Sequence, residues 1–177
     1  MTDPFRIETE RLLIRGFRQG DLEELFEILG DEETMRFLEP PFDMEKAEKF
    51  LQEFCIERKG ALAATLAQSG RLIGYLLFNG YGSPDIYEMG WIFNKGFWRK
   101  GYAYESCSAV INRAFSELGA HKVFAETADE VKSVPLMEKL GMKQEGLQRK
   151  QVQSLDGEWR DMYLYGLLRE DFLQLQT

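Results

Sequence analysis

The chain has 177 residues, 44% of them hydrophobic and 13% aromatic, and a formal net charge of −8. Residues 1–177 therefore read as a single domain with enough apolar material for a sizeable core. An acidic exterior argues against bulk nucleic-acid binding, which needs positive charge facing phosphate, and it suits a cationic substrate as well as it suits plain solubility.

No apolar run of signal length opens the chain and no stretch approaches a membrane span, so a cytoplasmic, non-membrane protein is expected. Cys55 and Cys107 lie within helical apolar patterns and read as buried free thiols of a reducing compartment. No spacing suggests a metal site, and none is expected.

In chain order, residues 12–17 predict a first strand. Asp21-Leu22-Glu23-Glu24 has capping-box spacing, and Leu22, Leu25, Phe26 and Leu29 form a helical stripe that ends near Gly30. Pro40-Pro41 breaks the chain before a second helix over 44–58, which turns Ala47, Phe50, Leu51, Phe54 and Cys55 inward and stops at Gly60. Strands over 61–67 and 72–78 flank Gln68-Ser69-Gly70-Arg71, a hairpin signal. Residues 79–85 are a loop of turn formers.

The stretch 88–106 organises the rest. Met89, Trp91 and Phe93 alternate as in a strand, and Asn94-Lys95-Gly96 interrupts it. After Trp98-Arg99-Lys100-Gly101-Tyr102, apolar residues fall at helical spacing from Ala103 through Cys107, Val110, Ile111, Ala114, Phe115 and Leu118, with Gly119 as the stop. A helix that begins inside a basic glycine loop presents unpaired N–H groups and a positive dipole end, a ready anion site whose usual occupant is pyrophosphate. The loop lacks the Gly-Lys-Ser/Thr of a Walker A sequence and two of the three glycines of the dinucleotide fingerprint.

A strand over 122–127, a helix from Ser133 to Gly141 with Pro135 in its first turn, and two strands near 144–153 and 159–167 joined by Asp156-Gly157 complete the chain. The order β-α-α-β-β-β-α-β-α-β-β implies an α/β fold with a mixed sheet and helices on both faces.

The loop Trp98-Arg99-Lys100-Gly101-Tyr102-Ala103 resembles the acetyl-CoA loop of the GNAT N-acetyltransferase superfamily, Gln/Arg-x-x-Gly-x-Gly/Ala. It departs from that pattern in carrying Trp98 at the first position and Arg99 where Gly is usual. Further segments are similar to the ribosomal-protein N-terminal acetyltransferase branch, the RimJ/RimL-like group. These are Thr9-Glu10-Arg11-Leu12-Leu13-Ile14-Arg15, Glu88-Met89-Gly90-Trp91, Gly101-Tyr102-Ala103-Tyr104-Glu105, the run from Ser133 to Met142, and Asp161-Met162-Tyr163 with Leu167-Leu168-Arg169-Glu170. The resemblance covers nearly the whole chain in order. It implies a GNAT fold, a mostly antiparallel sheet of about seven strands that splays at its centre to admit the pantetheine arm of acetyl-CoA against the backbone of Trp91, Ile92 and Phe93.

The activity implied is transfer of an acetyl group from acetyl-CoA to a primary amine by direct attack. A protein N-terminal α-amine is the favoured acceptor, with a polyamine, an aminoglycoside or an amino-acid derivative as rivals. A non-catalytic acyl-CoA-binding regulator is a further alternative, and the protomer count is open between monomer and homodimer. Such chemistry needs the amine placed against the thioester, a donor for the developing oxyanion, and a group to take the ammonium proton. Arg99 and Lys100 would face the cofactor phosphates, and the amides of Gly101, Ala103 and Tyr104 would cradle them, with Tyr102 and Trp98 equally suited to packing. The resemblance offers Glu88 as a base acting through water, with Glu126 as second candidate; both also read as solvated strand residues. His121, the only histidine, reads as structural or exposed. The tyrosine that many family members use as acid is matched by Met137, which has no proton to give. The branch offers Ser133 instead, which also reads as a helix cap. Glu130 stands where an asparagine is frequent, and an ionised carboxylate donates nothing to pantetheine. Phe37, Leu38 and Phe42 are candidates for the acceptor pocket.

Overall fold

The structure is a computed structural model and describes residues 5–176. An eight-stranded sheet has the order β1-β2-β3-β4-β5-β6-β8-β7. Its strands are β1 (Ile7–Glu8), β2 (Leu12–Gly16), β3 (Ala61–Leu66), β4 (Leu72–Gly80), β5 (Ile86–Phe93), β6 (Lys122–Thr127), β7 (Lys143–Gln153) and β8 (Trp159–Leu168). Every neighbouring pair is antiparallel except β5 with β6. The helices are α1 (Leu22–Leu29), α2 (Glu32–Met35), α3 (Met44–Lys49), α4 (Tyr102–Ser116), α5 (Ser133–Lys139) and α6 (Arg169–Leu175). The mixed sheet and the order of its elements agree with the expectation, with the two-residue β1 as an eighth strand and α2 and α6 as short additions.

The sheet separates two main apolar layers. On one face α4 and α5 bury Cys107, Val110, Ile111, Ala114 and Met137 against Leu76, Met89, Val123 and Leu167. On the other, α1, α3 and the helical turns that continue α3 to Glu57 bury Leu25, Ile28, Ala47, Leu51 and Cys55 against Ala61, Ala63 and Tyr75. The two-residue period of the strands sends alternate side chains to each layer, so both faces of β3 and β4 are apolar.

Three local expectations change. Asp21 precedes α1 but makes no side-chain cap; its carboxylate takes both guanidinium nitrogens of buried Arg15 at 2.8 Å and the Arg18 amide at 2.8 Å. A buried forked ion pair needs every oxygen lone pair it can fill, and this outweighs a cap. The second helix runs on from α3 as a π-helix, Phe50–Glu57, with the Arg58 amide reaching back to the Glu53 carbonyl. This wider turn stacks Phe50 on Phe54 with ring centroids 5.1 Å apart. Ser133 is the first residue of α5 and not its cap; Asp129 instead accepts the amides of Val131 and Lys132.

The parallel β5–β6 pair joins only Ile86–Glu88 to Lys122–Phe124. Beyond it the strands diverge, each held by its outer neighbour: β5 by β4 as far as Phe93, β6 by β8 as far as Thr127. The sheet is therefore split at its centre.

Candidate active site

A cavity of about 700 Å³ occupies that split. The hydrogen-bond parity of β5 decides what it offers. The Asn94 amide donates to the Ile73 carbonyl, one residue outside the Gly74–Phe93 pair, so that pair is of the non-hydrogen-bonded kind. Every second pair along the ladder shares the property, including Leu76–Trp91. Trp91 thus turns its N–H and C=O away from β4 and into the opening. The backbone of Ile92 is spent on Tyr75, and Ile92 contributes only its side chain to the wall. The Phe93 carbonyl accepts the Trp98 indole N–H at 2.7 Å, which ties the loop to the strand end.

After β5 the chain makes a single turn, Lys95–Phe97, capped by the Asn94 side chain on the Gly96 amide. Arg99 and Gly101 then adopt left-handed backbone, φ 59° and 84°. Glycine is free there, whereas Arg99 holds a conformation that side chains disfavour. The result is that no N–H from Arg99 through Tyr104 meets an acceptor among the described residues. All of these residues but Lys100 line the cavity, at the N-terminus of a 15-residue helix. Free amides and the dipole together make an anion-binding end.

The loop is braced from the turn between β1 and β2. Glu105, in the first turn of α4, accepts the Thr9 hydroxyl at 2.6 Å, the Arg11 amide at 2.8 Å and the Arg11 guanidinium at 2.7 Å. Arg11 also donates to the Lys100 carbonyl at 2.9 Å and covers the Tyr102 ring at 4.3 Å. Burial works to raise the Glu105 carboxyl, but these donors outweigh it and hold it below its ordinary value.

The cations around this end are Arg99, Lys132 and Lys139, with Lys132 over the Trp98 ring at 3.8 Å and Lys139 over Tyr104 at 4.3 Å. Lys100 is not among the lining residues; its ammonium folds back to the Gly96 carbonyl at 2.8 Å. Nothing in the sequence distinguishes Lys132 and Lys139 from surface lysines. Only the packing of α5 beside α4 brings them to the cavity.

The face carrying α1 and α3 supplies the other end. Glu88, Gly90 and Ile92 project there from β5, and Glu126 from β6. Phe37, Leu38, Leu77, Asn79 and Met162 complete the wall. Burial, and then the charge of Glu126, push the Glu88 carboxyl above its ordinary value. The cavity is thus polarised, with amides and three cations toward one end, Lys132 lying 3.6 Å from the Asp129 carboxylate, and Glu88 and Glu126 toward the other.

Of the other residues singled out, Ser133 lines the cavity and its hydroxyl has no hydrogen-bond partner among the described residues. Met137 is fully buried in the α4–α5 layer. Phe42 is core as well, edge-on to Phe50, and does not reach the cavity. Glu130 also stays outside the cavity; burial, then hydrogen bonding to Glu130 and its charge, raise the Tyr163 phenol above its ordinary value. His121 is exposed at the far end of the sheet, its backbone joined to Asp85 and Arg169. Cys107 and Cys55 are buried free thiols, the first raised above the ordinary thiol range and the second pushed up to about 12 by burial, so neither supplies a thiolate near neutrality.

The split mixed sheet thus carries an anion-binding helix end on one side of its opening and carboxylates on the other. Residues 11–143 match the family model described as the acetyltransferase (GNAT) domain, and the chain belongs to that family. It is 33% identical over 168 residues to the uncharacterized N-acetyltransferase YnaD of Bacillus subtilis (strain 168), covering 94% of this chain and 98% of that one. An acetyltransferase of the GNAT family from Bacillus anthracis superposes with a TM-score of 0.86 at 32% identity, covering 93% and 99% of the two chains. Spermidine N-acetyltransferase from Vibrio cholerae, solved with CoA and spermine, shares the fold with a TM-score of 0.80 at 20% identity over 93% and 99%.

Proposed function

We propose that this chain is an acetyl-CoA-dependent N-acetyltransferase acting on a primary amine by direct attack, in the manner of the RimJ/RimL-like branch. The observation that carries the reading is the set of amides at Arg99 and Gly101 to Tyr104, without acceptors among the described residues, opening into the same cavity as the free strand edge of Trp91 and the Glu88 carboxylate. The residues suit two parts of the cofactor, its pyrophosphate and its pantetheine arm. Gly101, Tyr102, Ala103 and Tyr104 would hold the pyrophosphate by their amides, with Arg99, Lys132 and Lys139 supplying charge. Trp91 and the Phe93 amide would pair with the pantetheine arm in the place of a missing strand. Acetyl-CoA supplies the activated acyl group.

Glu88 takes the ammonium proton, directly or through water. A carboxyl raised toward neutrality is better matched to that task than an ordinary one. Ser133 donates to the departing thiolate, a role supported by its position on the cavity wall and by a hydroxyl without a hydrogen-bond partner among the described residues. Glu126 anchors the cationic acceptor. Two carboxylates at this mouth repel an acceptor that carries its own carboxylate beside the amine, which disfavours free amino acids.

A protein N-terminal α-amine remains the favoured acceptor, since it titrates near ~8 and asks less of the base than a lysine near ~10.4. A small polycationic amine is the second reading, favoured by the same carboxylate pair. Thiol release from acetyl-CoA with peptides, polyamines, aminoglycosides and amino-acid derivatives decides between them. Release with peptides alone supports the first reading. Binding of CoA without release on any amine would return the chain to a regulator.

A further inference from the structure

The wall bearing Phe37 and Leu38 follows the short helix α2, and Leu38 is 54% exposed. What holds this wall comes from far along the chain. At the β7–β8 turn, one oxygen of Asp156 accepts Arg36 at 2.9 Å and Arg160 at 2.8 Å. The other accepts the Ser154 hydroxyl at 2.9 Å and the Glu158 amide at 3.0 Å. The Leu155 amide meets the Arg36 carbonyl at 3.4 Å. The guanidinium groups of Arg36 and Arg160 lie 5.3 and 5.9 Å from the Phe37 ring centroid. Hydrogen bonds from Arg36 first, then from the Glu158 amide and Ser154, hold the Asp156 carboxyl far below its ordinary value.

One exposed ion pair contributes little. Here a single carboxylate is bound by two arginines, a hydroxyl and an amide, with an aromatic ring beside both cations, and a network of this kind is geometrically specific. It also closes a circuit around the split sheet. The β7–β8 hairpin belongs to the β6 side of the opening, whereas α2 packs on the β5 side. The clasp joins the two halves across the acceptor end.

We infer that Asp156, with Arg36 and Arg160, positions the Phe37–Leu38 wall and thereby sets affinity for the amine while leaving the cofactor end untouched. This rests on the reading that the Glu88 mouth admits the amine. None of the three residues lines the cavity, so they act through Phe37 and Leu38.

The test is steady-state kinetics with the best amine of the panel, paired with hydrogen exchange of residues 35–42 and 153–158 in the full chain. Asp156→Asn and, separately, Arg36→Ala should raise the KM for amine about tenfold, the loss expected of a charged hydrogen-bond network. The KM for acetyl-CoA should stay within about twofold, exchange in both segments should quicken, and Asp156→Glu should recover most of the affinity. Exchange that ignores both substitutions overturns the clasp. Faster exchange with an unchanged amine KM overturns its part in positioning the acceptor. A parent chain that releases no thiol with any amine sinks the acetyl-transfer reading and the clasp's role with it, whereas an active parent indifferent to Asp156 sinks the clasp alone.

Discussion

Glu88 sits where the two halves of the sheet part, and its environment is set by that position. Partial burial and the facing Glu126 raise its carboxyl, so the fraction able to accept a proton grows with pH over a range above the ordinary carboxylate value. The acid limb of kcat/KM is therefore expected above ~4.3, and rate should rise with pH through it. Glu88→Gln should lower kcat about 100-fold and flatten that limb, as read from pH–rate profiles of the two enzymes. A profile unchanged in Glu88→Gln assigns the proton elsewhere. Gly101 illustrates a different constraint at the same scale. Its backbone is left-handed, and an added Cβ would lie 3.2 Å from the Arg11 guanidinium. Gly101→Ala should cost about 1–2 kcal/mol in denaturant melts and weaken CoA binding, because the amide it presents would be turned.

The element that matters most is the first turn of α4, and it is held by the turn between β1 and β2. Arg11 binds both Glu105 and the Lys100 carbonyl, so the free amides are kept in place from outside the loop. Arg11→Ala should raise the Kd for CoA about tenfold by calorimetry, a measurement that needs no turnover. Because the Glu105 carboxyl is held low in the folded chain, its contribution to stability is fully present above the ordinary glutamate value. It is lost only as pH falls through the depressed value. Arg11→Ala should therefore narrow the acid range over which the chain stays folded, measured by thermal melts against pH.

For the molecule as a whole, the two apolar layers meet a sheet that is continuous at one end and open at the other. Stability and function are consequently separable. Arg15 and Asp21 form a buried ion pair beside α1, away from the cavity. Asp21→Ala should cost about 3–5 kcal/mol, since it strands a buried guanidinium, and should leave the Kd for CoA unchanged under conditions where the chain is folded. Arg99→Ala with Lys132→Ala should do the reverse, leaving the melting temperature nearly unmoved while weakening CoA binding and flattening its salt dependence. Among the described residues no helix is long and apolar enough to cross a membrane.

Period and punctuation in the sequence determined the seven longer strands, the helices at 22, 44, 102 and 133, and the basic loop between β5 and α4. These depend on neighbours a few residues apart, through side-chain alternation, glycine at left-handed backbone and the breaking of runs by proline. The same local signals misjudged the caps at Asp21 and Ser133 and the place of Phe42, because an ion pair to Arg15 six residues upstream, the carboxylate of Asp129 and the π-helical turn claimed the positions instead. They were silent on α2, on α6 and on β1, each too short to carry a period. Only the tertiary structure decided that Lys132 and Lys139 replace Lys100 at the cavity, that Trp91 and not Ile92 offers its backbone, and that Asp156 reaches Arg36. Ladder parity and contacts across 120 residues of chain depend on how strands register and helices dock, and no window of sequence contains both partners.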